Sequence, residues 1–181
     1  MYEVEITDSQ EFVSLEEAFL REVVSRTLAC EQVSAARISI AVVDNAAIRD
    51  LNRRFLDHDF ATDVLSFPFE CDDPAEPGET LSRGSGKRLE GEVVVSSEMA
   101  CHKAAEFYWR PQDELVLYLV HGLLHLVGYD DSTDSERSLM RSRERAILQF
   151  WQLTPRYASG LEDQTPCERP SPADGMAGAD S

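Results

Sequence analysis

Hydrophobic positions change period along the chain, and those changes mark out the elements. Residues 2–7, YEVEIT, alternate as a half-buried strand does, and residues 37–43, RISIAVV, form a β-branched strand. Between them Leu15, Phe19, Val23 and Leu28 recur at roughly helical spacing, which predicts a helix from Ser14, a candidate N-cap, to Ala29. Asp44 can cap a helix through Ile48 and Leu51 to about Phe55. DVLSFPF, 63–69, reads as a strand ended by Pro68, and 70–90, rich in Gly, Pro and charge, as a long exposed loop. EVVVS, 92–96, is the fourth strand, followed by a helix over 97–109 capped by Ser96 or Ser97. Pro111 opens another helix, to Val127, and Gly128 stops it. Thr133 and Glu136 make a capping-box pattern for a last helix to about Trp151. The third and fourth strands follow each other with no helix between them, so strict β–α–β alternation fails. The predicted class is α+β, a small mixed four-stranded sheet packed by about five helices.

From Thr154 the periodicity stops. Residues 154–181 hold four of the eight prolines and few large apolar side chains, which predicts a disordered acidic tail behind a single domain over 1–153. No apolar run approaches the roughly 18 residues that span a bilayer, and the acidic, mixed first residues read as neither a signal nor a transit peptide. The four cysteines, Cys30, Cys71, Cys101 and Cys167, lie far apart with no Cys-x-x-Cys pair, which fits a reducing cytoplasm better than a disulfide framework or a thiolate zinc site. Charge changes the picture further. The formal net charge is −17, of which −3 falls on 154–181 and −14 on the body. A protein that binds nucleic acid through a general electrostatic field does not look like this. Any nucleic-acid contact needs a local basic groove or a metal, which counts against a histone-like or repressor-like role but not against a metal-dependent nuclease.

The chemistry concentrates on the helix over 112–127. It is apolar almost all round and therefore predicted to be buried, yet it carries His121 and His125. Two histidines at i and i+4 lie on one helix face, about 5–6 Å apart at Cβ, where both nitrogens can converge on one ion. A lone histidine there would more simply be a hydrogen-bonded core residue; the pair reverses that reading. The run His121-Gly-Leu-Leu-His125-Leu-Val-Gly128-Tyr-Asp-Asp131 has the spacing H-x-x-x-H-x-x-G-x-x-D. In metzincin hydrolases a glycine at this place turns the chain and returns a third ligand. Here that ligand is Asp131, with Asp130 the adjacent competitor; the alternative is that Asp131 only favours the dipole of the last helix. Two histidines and a carboxylate make a catalytic zinc shell with one position open, and the hard oxygen ligand also suits Mn²⁺ or another divalent ion. Metallopeptidases place their general base directly after the first histidine; here that residue is Gly122, so a peptidase is disfavoured. An iron oxygenase matches by ligand type alone.

HGLLHLVGYDD resembles the signature of the YbeY family of metal-dependent endoribonucleases, the rRNA maturation factors. LNRRFLDHDFATDVLSFPFE (51–70) and LEGEVVVS (89–96) are similar to two further segments of that family, in the same order, so the likeness covers roughly residues 40–150. The resemblance implies a metzincin-like α+β fold, one zinc ion, and cleavage of single-stranded or ribosomal RNA, not DNA, in ribosomal RNA maturation and ribosome quality control. It also implies the ribosome or its small-subunit proteins as partners. It places Thr62, Asp63 and Ser66 along the substrate groove, though turn and strand chemistry explains them equally well. Two departures stand out: the family's third metal histidine falls on Asp131, and its arginine after an aromatic falls on Leu56. Arg53 and Arg54 lie nearby, with Arg53 a candidate groove residue and a solvated helix face the simpler reading of both. Asp130 or an unassigned groove residue is the candidate for proton management; the sequence identifies neither a base nor a leaving-group acid. His58 and His102 read as surface residues, and Tyr108 and Trp109 as helix-end anchors. The rival to the nuclease is a ribosome-associated RNA- or protein-binding factor whose metal is mainly structural.

Overall fold

A computed structural model describes residues 1–72 and 82–157. In chain order the elements are β1 (Tyr2–Asp8), α1 (Glu17–Cys30), β2 (Ala35–Val43), α2 (Asn45–Leu56), β3 (Val64–Asp72), β4 (Arg88–Ser96), α3 (Ser97–Phe107), α4 (Pro111–Val127) and α5 (Asp134–Leu148), with a 3-10 turn at Gln149–Trp151. The four strands form one mixed sheet in the order β1-β2-β4-β3. β1 and β4 both run parallel to β2, while β3 runs antiparallel to β4. The α+β class with a four-stranded mixed sheet and five helices is therefore what the chain adopts.

Side-chain alternation assigns the two faces. Ile38, Ile40 and Val42 of β2 and Val93 and Val95 of β4 point into the main core with Leu20, Val24, Leu119 and Leu123. Val43 and Val94 point the other way, beneath α2, where they meet Ile48 and Leu65. α4 is the centre of the main layer. Nearly every residue from Glu114 to Val127 is buried, and it packs against β3, β4, α1, α3 and α5. Gly122 permits that close approach. A Cβ there would lie 2.6 Å from Val93 Cγ1 and 2.8 Å from Val64 Cγ2. Ser66 of β3 then donates its hydroxyl to the Gly122 carbonyl at 3.0 Å, tying the helix to the sheet.

Local chemistry sets the ends of the elements. Asp44, Ser96 and Thr133 each accept a bond from the backbone N–H three residues on, at 2.8, 3.1 and 3.2 Å. Gly128 closes α4 in the left-handed region, φ +107°, which favours glycine. Several boundaries differ from the sequence expectation: β2 starts two residues earlier, α3 ends two residues sooner and α5 gives way to the 3-10 turn after Leu148. α1 begins at Glu17, not at Ser14, and Glu16 at its N-cap makes no side-chain cap bond. β3 continues through Pro68 to Asp72 because it is an edge strand, where a missing N–H costs no ladder bond, and its register shifts between Pro68 and Glu70. The expected loop over 70–90 is partly strand, at 70–72 and 88–90. Residues 82–87 are anchored too: Lys87 Nζ donates to the Val127 carbonyl at 3.1 Å and Arg83 to the Gly128 carbonyl at 2.8 Å. Residues 73–81 of that loop lie outside the described residues. So does the expected disordered tail beyond residue 157, while residues 154–157 are described, with Pro155 buried. No disulfide joins Cys30, Cys71 and Cys101, and no described helix is long and apolar enough to cross a membrane.

The packing at Gly122 generates a test. Gly122→Ala should destabilise the fold by about 1–3 kcal/mol, because the added methyl meets two branched side chains at sub-van-der-Waals distance. A urea midpoint equal to the wild type's would show that α4 can shift away from β3 and β4 without cost.

Candidate metal centre

His121 and His125 stand one turn apart on the face of α4 that leaves the sheet, and both are mostly buried. Each ring has its Nδ1 engaged. His121 Nδ1 lies 2.7 Å from Glu144 Oε1 of α5, and His125 Nδ1 lies 3.0 Å from the Tyr129 carbonyl just past Gly128. A carboxylate and a carbonyl can only accept, so both rings carry their proton on Nδ1 and present a lone pair at Nε2. The two Nε2 atoms face each other at 3.0 Å. Two lone pairs at that distance repel unless a proton or a metal ion sits between them.

The Gly128 turn brings the third group. Asp131 Oδ2 is 3.9 Å from His121 Nε2, and Oδ1 is 4.0 Å from His125 Nε2. Among the described residues, His121, His125 and Asp131 are the group whose ligand atoms all lie within 4.8 Å of one another. Tetrahedral zinc with bonds of about 2.0–2.1 Å needs ligand atoms about 3.3 Å apart, a value that 3.0 and 3.9 Å bracket. These residues could hold a metal ion, and the donor set fits one. Asp130, the competing neighbour, is turned away. Its Oδ1 accepts the Asp131 N–H at 2.8 Å and its Oδ2 the Ser132 hydroxyl at 2.6 Å, bonds that hold its carboxyl well below the usual carboxylate range.

The supporting shell is elaborate. Glu144 is 2% exposed, and its second oxygen accepts the Tyr157 hydroxyl at 2.6 Å. Burial lowers the His121 pKa, but the hydrogen bond and charge of Glu144, with Asp63 and Asp131 behind it, outweigh burial and raise it. His125 goes the other way, lowered by burial and by His121 beside it. The carbonyl that orients His125 belongs to Tyr129, whose hydroxyl donates to Glu31 at 3.0 Å; Arg143 clamps the same buried carboxylate at 2.6 Å. Burying such a carboxylate without a partner costs several kcal/mol, so this triad locks the turn that carries Asp131.

A cavity of about 460 Å³ opens beside the centre, lined by His121, Asp131 and Glu144 and by Thr62 and Asp63. Two of the expected groove residues are thus beside the centre, held in a turn where Asp63 Oδ1 accepts both the Thr62 hydroxyl and the Val64 N–H at 2.9 Å. Ser66 is spent on Gly122. Arg53 is on exposed α2, paired with Asp50 at 2.8 Å, and does not line the cavity. Arg54 covers the Phe55 ring, and Leu56 is exposed. His58 stacks on Phe60. Trp109 packs on the core as expected of a helix-end anchor, but Tyr108 does not: it is the left-handed C-cap of α3 and is 91% exposed, its ring turned out by that conformation. His102 rides an exposed position of α3.

Other cavity residues carry no motif signal. Glu114 is buried, its Oε2 has no hydrogen-bond partner among the described residues, and desolvation pushes its carboxyl up to about 7 against the pull of the Tyr118 hydroxyl. Glu144 did leave a trace: it is an acid on the buried stripe of α5 between Met140 and Ile147, and a lone charge on such a stripe asks for a partner. Tyr157 and Arg156 sit past the last periodic residue, where pattern says nothing.

Comparison with known proteins converges on one family. A family model described as Endoribonuclease YbeY matches residues 4–152. A protein named Endoribonuclease YbeY from Salinibacter ruber is 39% identical over 134 residues, 74% of this chain and 82% of that protein. One of the same name from Carboxydothermus hydrogenoformans is 38% identical over 147 residues, 80% of this chain and 94% of that one. The solution structure of TM1509 from Thermotoga maritima shares the fold at a TM-score of 0.53 and 23% identity, covering 92% of this chain and 99% of that one. With the family model spanning residues 4–152, the candidate metal ligands included, the chain belongs to the YbeY endoribonuclease family.

Proposed function

We propose that this protein is a metal-dependent endoribonuclease that cleaves single-stranded RNA in ribosomal RNA maturation and ribosome quality control, working with the ribosome or its small-subunit proteins in the cytoplasm. The observation that carries the metal part is the pair of facing Nε2 atoms at 3.0 Å with both Nδ1 atoms already bonded. His121, His125 and Asp131 would hold one ion, Zn²⁺ first, with Mn²⁺ or another divalent ion admitted by the hard aspartate oxygen. When bound, that ion supplies Lewis-acid polarisation of a phosphoryl oxygen and a nucleophile at neutral pH.

The chain's own residues do the rest. Glu144 keeps the His121 proton on Nδ1, and Tyr157 keeps Glu144 in place. Asp131 brings one negative charge, which tempers the site. Met99, Leu117 and Met140 give the cavity an apolar lining next to these polar groups, the usual make-up of a substrate site. Asp130, which the sequence offers for proton management, is committed to the turn, whereas Glu114 holds a carboxyl poised near neutrality in the cavity beside the centre. A peptidase reading is opposed by packing as well as by sequence: position 122, where the base would stand, faces Val93 and Val64 with no room for a side chain. A purely structural ion is opposed by access. The side chains of His121, His125 and Asp131 are 24%, 28% and 46% exposed, so the ligand set is open toward the cavity.

Three outcomes test this. Elemental analysis should find about one divalent ion per chain, lost in His121→Ala and in His125→Ala; because Glu144 raises His121, protons should begin to displace the ion at a higher pH than at an unperturbed imidazole. Full metal loading in both variants would refute the site. Wild type should cleave single-stranded RNA, and His125→Ala or a chelator should abolish cleavage with the circular dichroism spectrum retained; undiminished cleavage would refute the mechanism. Glu144→Gln should weaken metal affinity by about 10–100-fold, and an unchanged affinity would reduce Glu144 to a packing role.

A further inference from the structure

Most arginines of this acidic chain are tied to carboxylates. Arg21, Arg26, Arg37, Arg49 and Arg110 sit in exposed ion pairs with Glu17, Glu22, Glu3, Asp59 and Asp113. The cavity beside His121 and Asp131 breaks that pattern. Its lining includes Arg137 and Arg141 of α5 and Arg156 of the segment after it. Arg141 meets no carboxylate among the described residues; its guanidinium is parked over the Tyr157 ring, 4.5 Å from the centroid. Arg156 meets none either, and Nη1 donates to the Phe107 carbonyl at 2.9 Å. Arg137 donates to the Asp131 carbonyl at 3.0 Å and pairs with Asp134, whose side chain is fully exposed. Such a pair is worth little and yields easily to a stronger anion.

Leaving guanidinium groups without carboxylates is unusual where acids outnumber bases 34 to 17. The net field of the protein repels a polyanion, so a cluster of uncommitted cations around one cavity is where one can land. A guanidinium offers parallel N–H donors that match a phosphate's oxygens two at a time. Stacking on Tyr157 orients Arg141 while leaving those donors unspent, and Tyr157 is itself fixed by its bond to Glu144, which orients His121. Arg141 of this cationic wall and the proposed centre are therefore tied to the same two side chains, Tyr157 and Glu144.

We infer that Arg141 and Arg156, assisted by Arg137, bind the backbone phosphates of an RNA strand next to the one held at the His121–His125–Asp131 centre. The inference rests on the RNA reading of that centre and adds the path of the substrate: the strand enters across α5 and residues 154–157. Arg156 and Tyr157 then become substrate-side residues rather than the start of the acidic tail.

The test is binding of a 2′-O-methyl RNA of roughly 12 nucleotides to the full chain as purified, by fluorescence anisotropy between about 50 and 200 mM salt. Arg141→Gln and Arg156→Gln should each reduce the slope of log Kd against log salt by about 0.7, and the double variant by about 1.4. Arg141→Lys should keep the slope, and Arg37→Gln, on the far side of the sheet, should leave binding unchanged. Unaltered slopes in both Gln variants overturn the inference; so does an equal loss in Arg37→Gln, or no wild-type binding at low salt. Cleavage that fails while binding follows this pattern counts against the catalytic reading and leaves the wall standing. Cleavage that persists while the slopes ignore Arg141 and Arg156 counts against the wall alone.

Discussion

Two imidazoles buried side by side on an apolar helix make a demand that the surrounding structure is arranged to meet. A buried polar ring without partners costs a few kcal/mol, and here each Nδ1 has one, supplied by Glu144 and by the Tyr129 carbonyl. Those partners have partners of their own in Tyr157, and in Glu31 with Arg143. What remains unmet is the space between the two Nε2 atoms. An arrangement that satisfies every outer nitrogen and leaves the inner two opposed at 3.0 Å makes sense around a cation.

Getting α4 to that position depends on backbone rather than chemistry. Gly122 lets the helix sink onto β3 and β4, and Gly128, in a conformation few other residues tolerate, turns the chain so that Asp131 returns toward the histidines. One glycine sets the depth of the helix and the other the return of the third group. Neither carries chemistry, yet the spacing of the cluster follows from both.

Much of this is legible in the sequence because it is local. The i, i+4 histidines, the glycine stop, the Asp44 and Thr133 caps and the buried character of α4 all follow from residues within a turn or two of each other. So does the preference for Asp131 over Asp130; in the structure Asp131 lies within reach of both histidines, and Asp130 is consumed by its own turn. What is not legible is long-range. Glu144 reaches His121 across 23 positions and Arg143 reaches Glu31 across 112, and no period in either stretch announces the pairing. Pro68 misleads because its effect depends on whether β3 has a neighbour on its other side, a property of the sheet and not of the strand. Tyr157 is invisible because a single aromatic in a Pro-rich stretch gives no pattern. The global charge of −17 points away from broad electrostatic binding of nucleic acid, and nothing in the sequence shows that Arg137, Arg141 and Arg156 line one cavity.

The account stands on a cation bridging His121 and His125, and X-ray absorption at the zinc edge of the zinc-loaded protein addresses it directly. The predicted shell has nitrogen and oxygen at about 2.0–2.2 Å, with outer-shell multiple scattering that requires two imidazoles and no sulfur. A shell that fits one imidazole or none would contradict it, and would mean that the facing nitrogens on α4 share a proton instead of a metal.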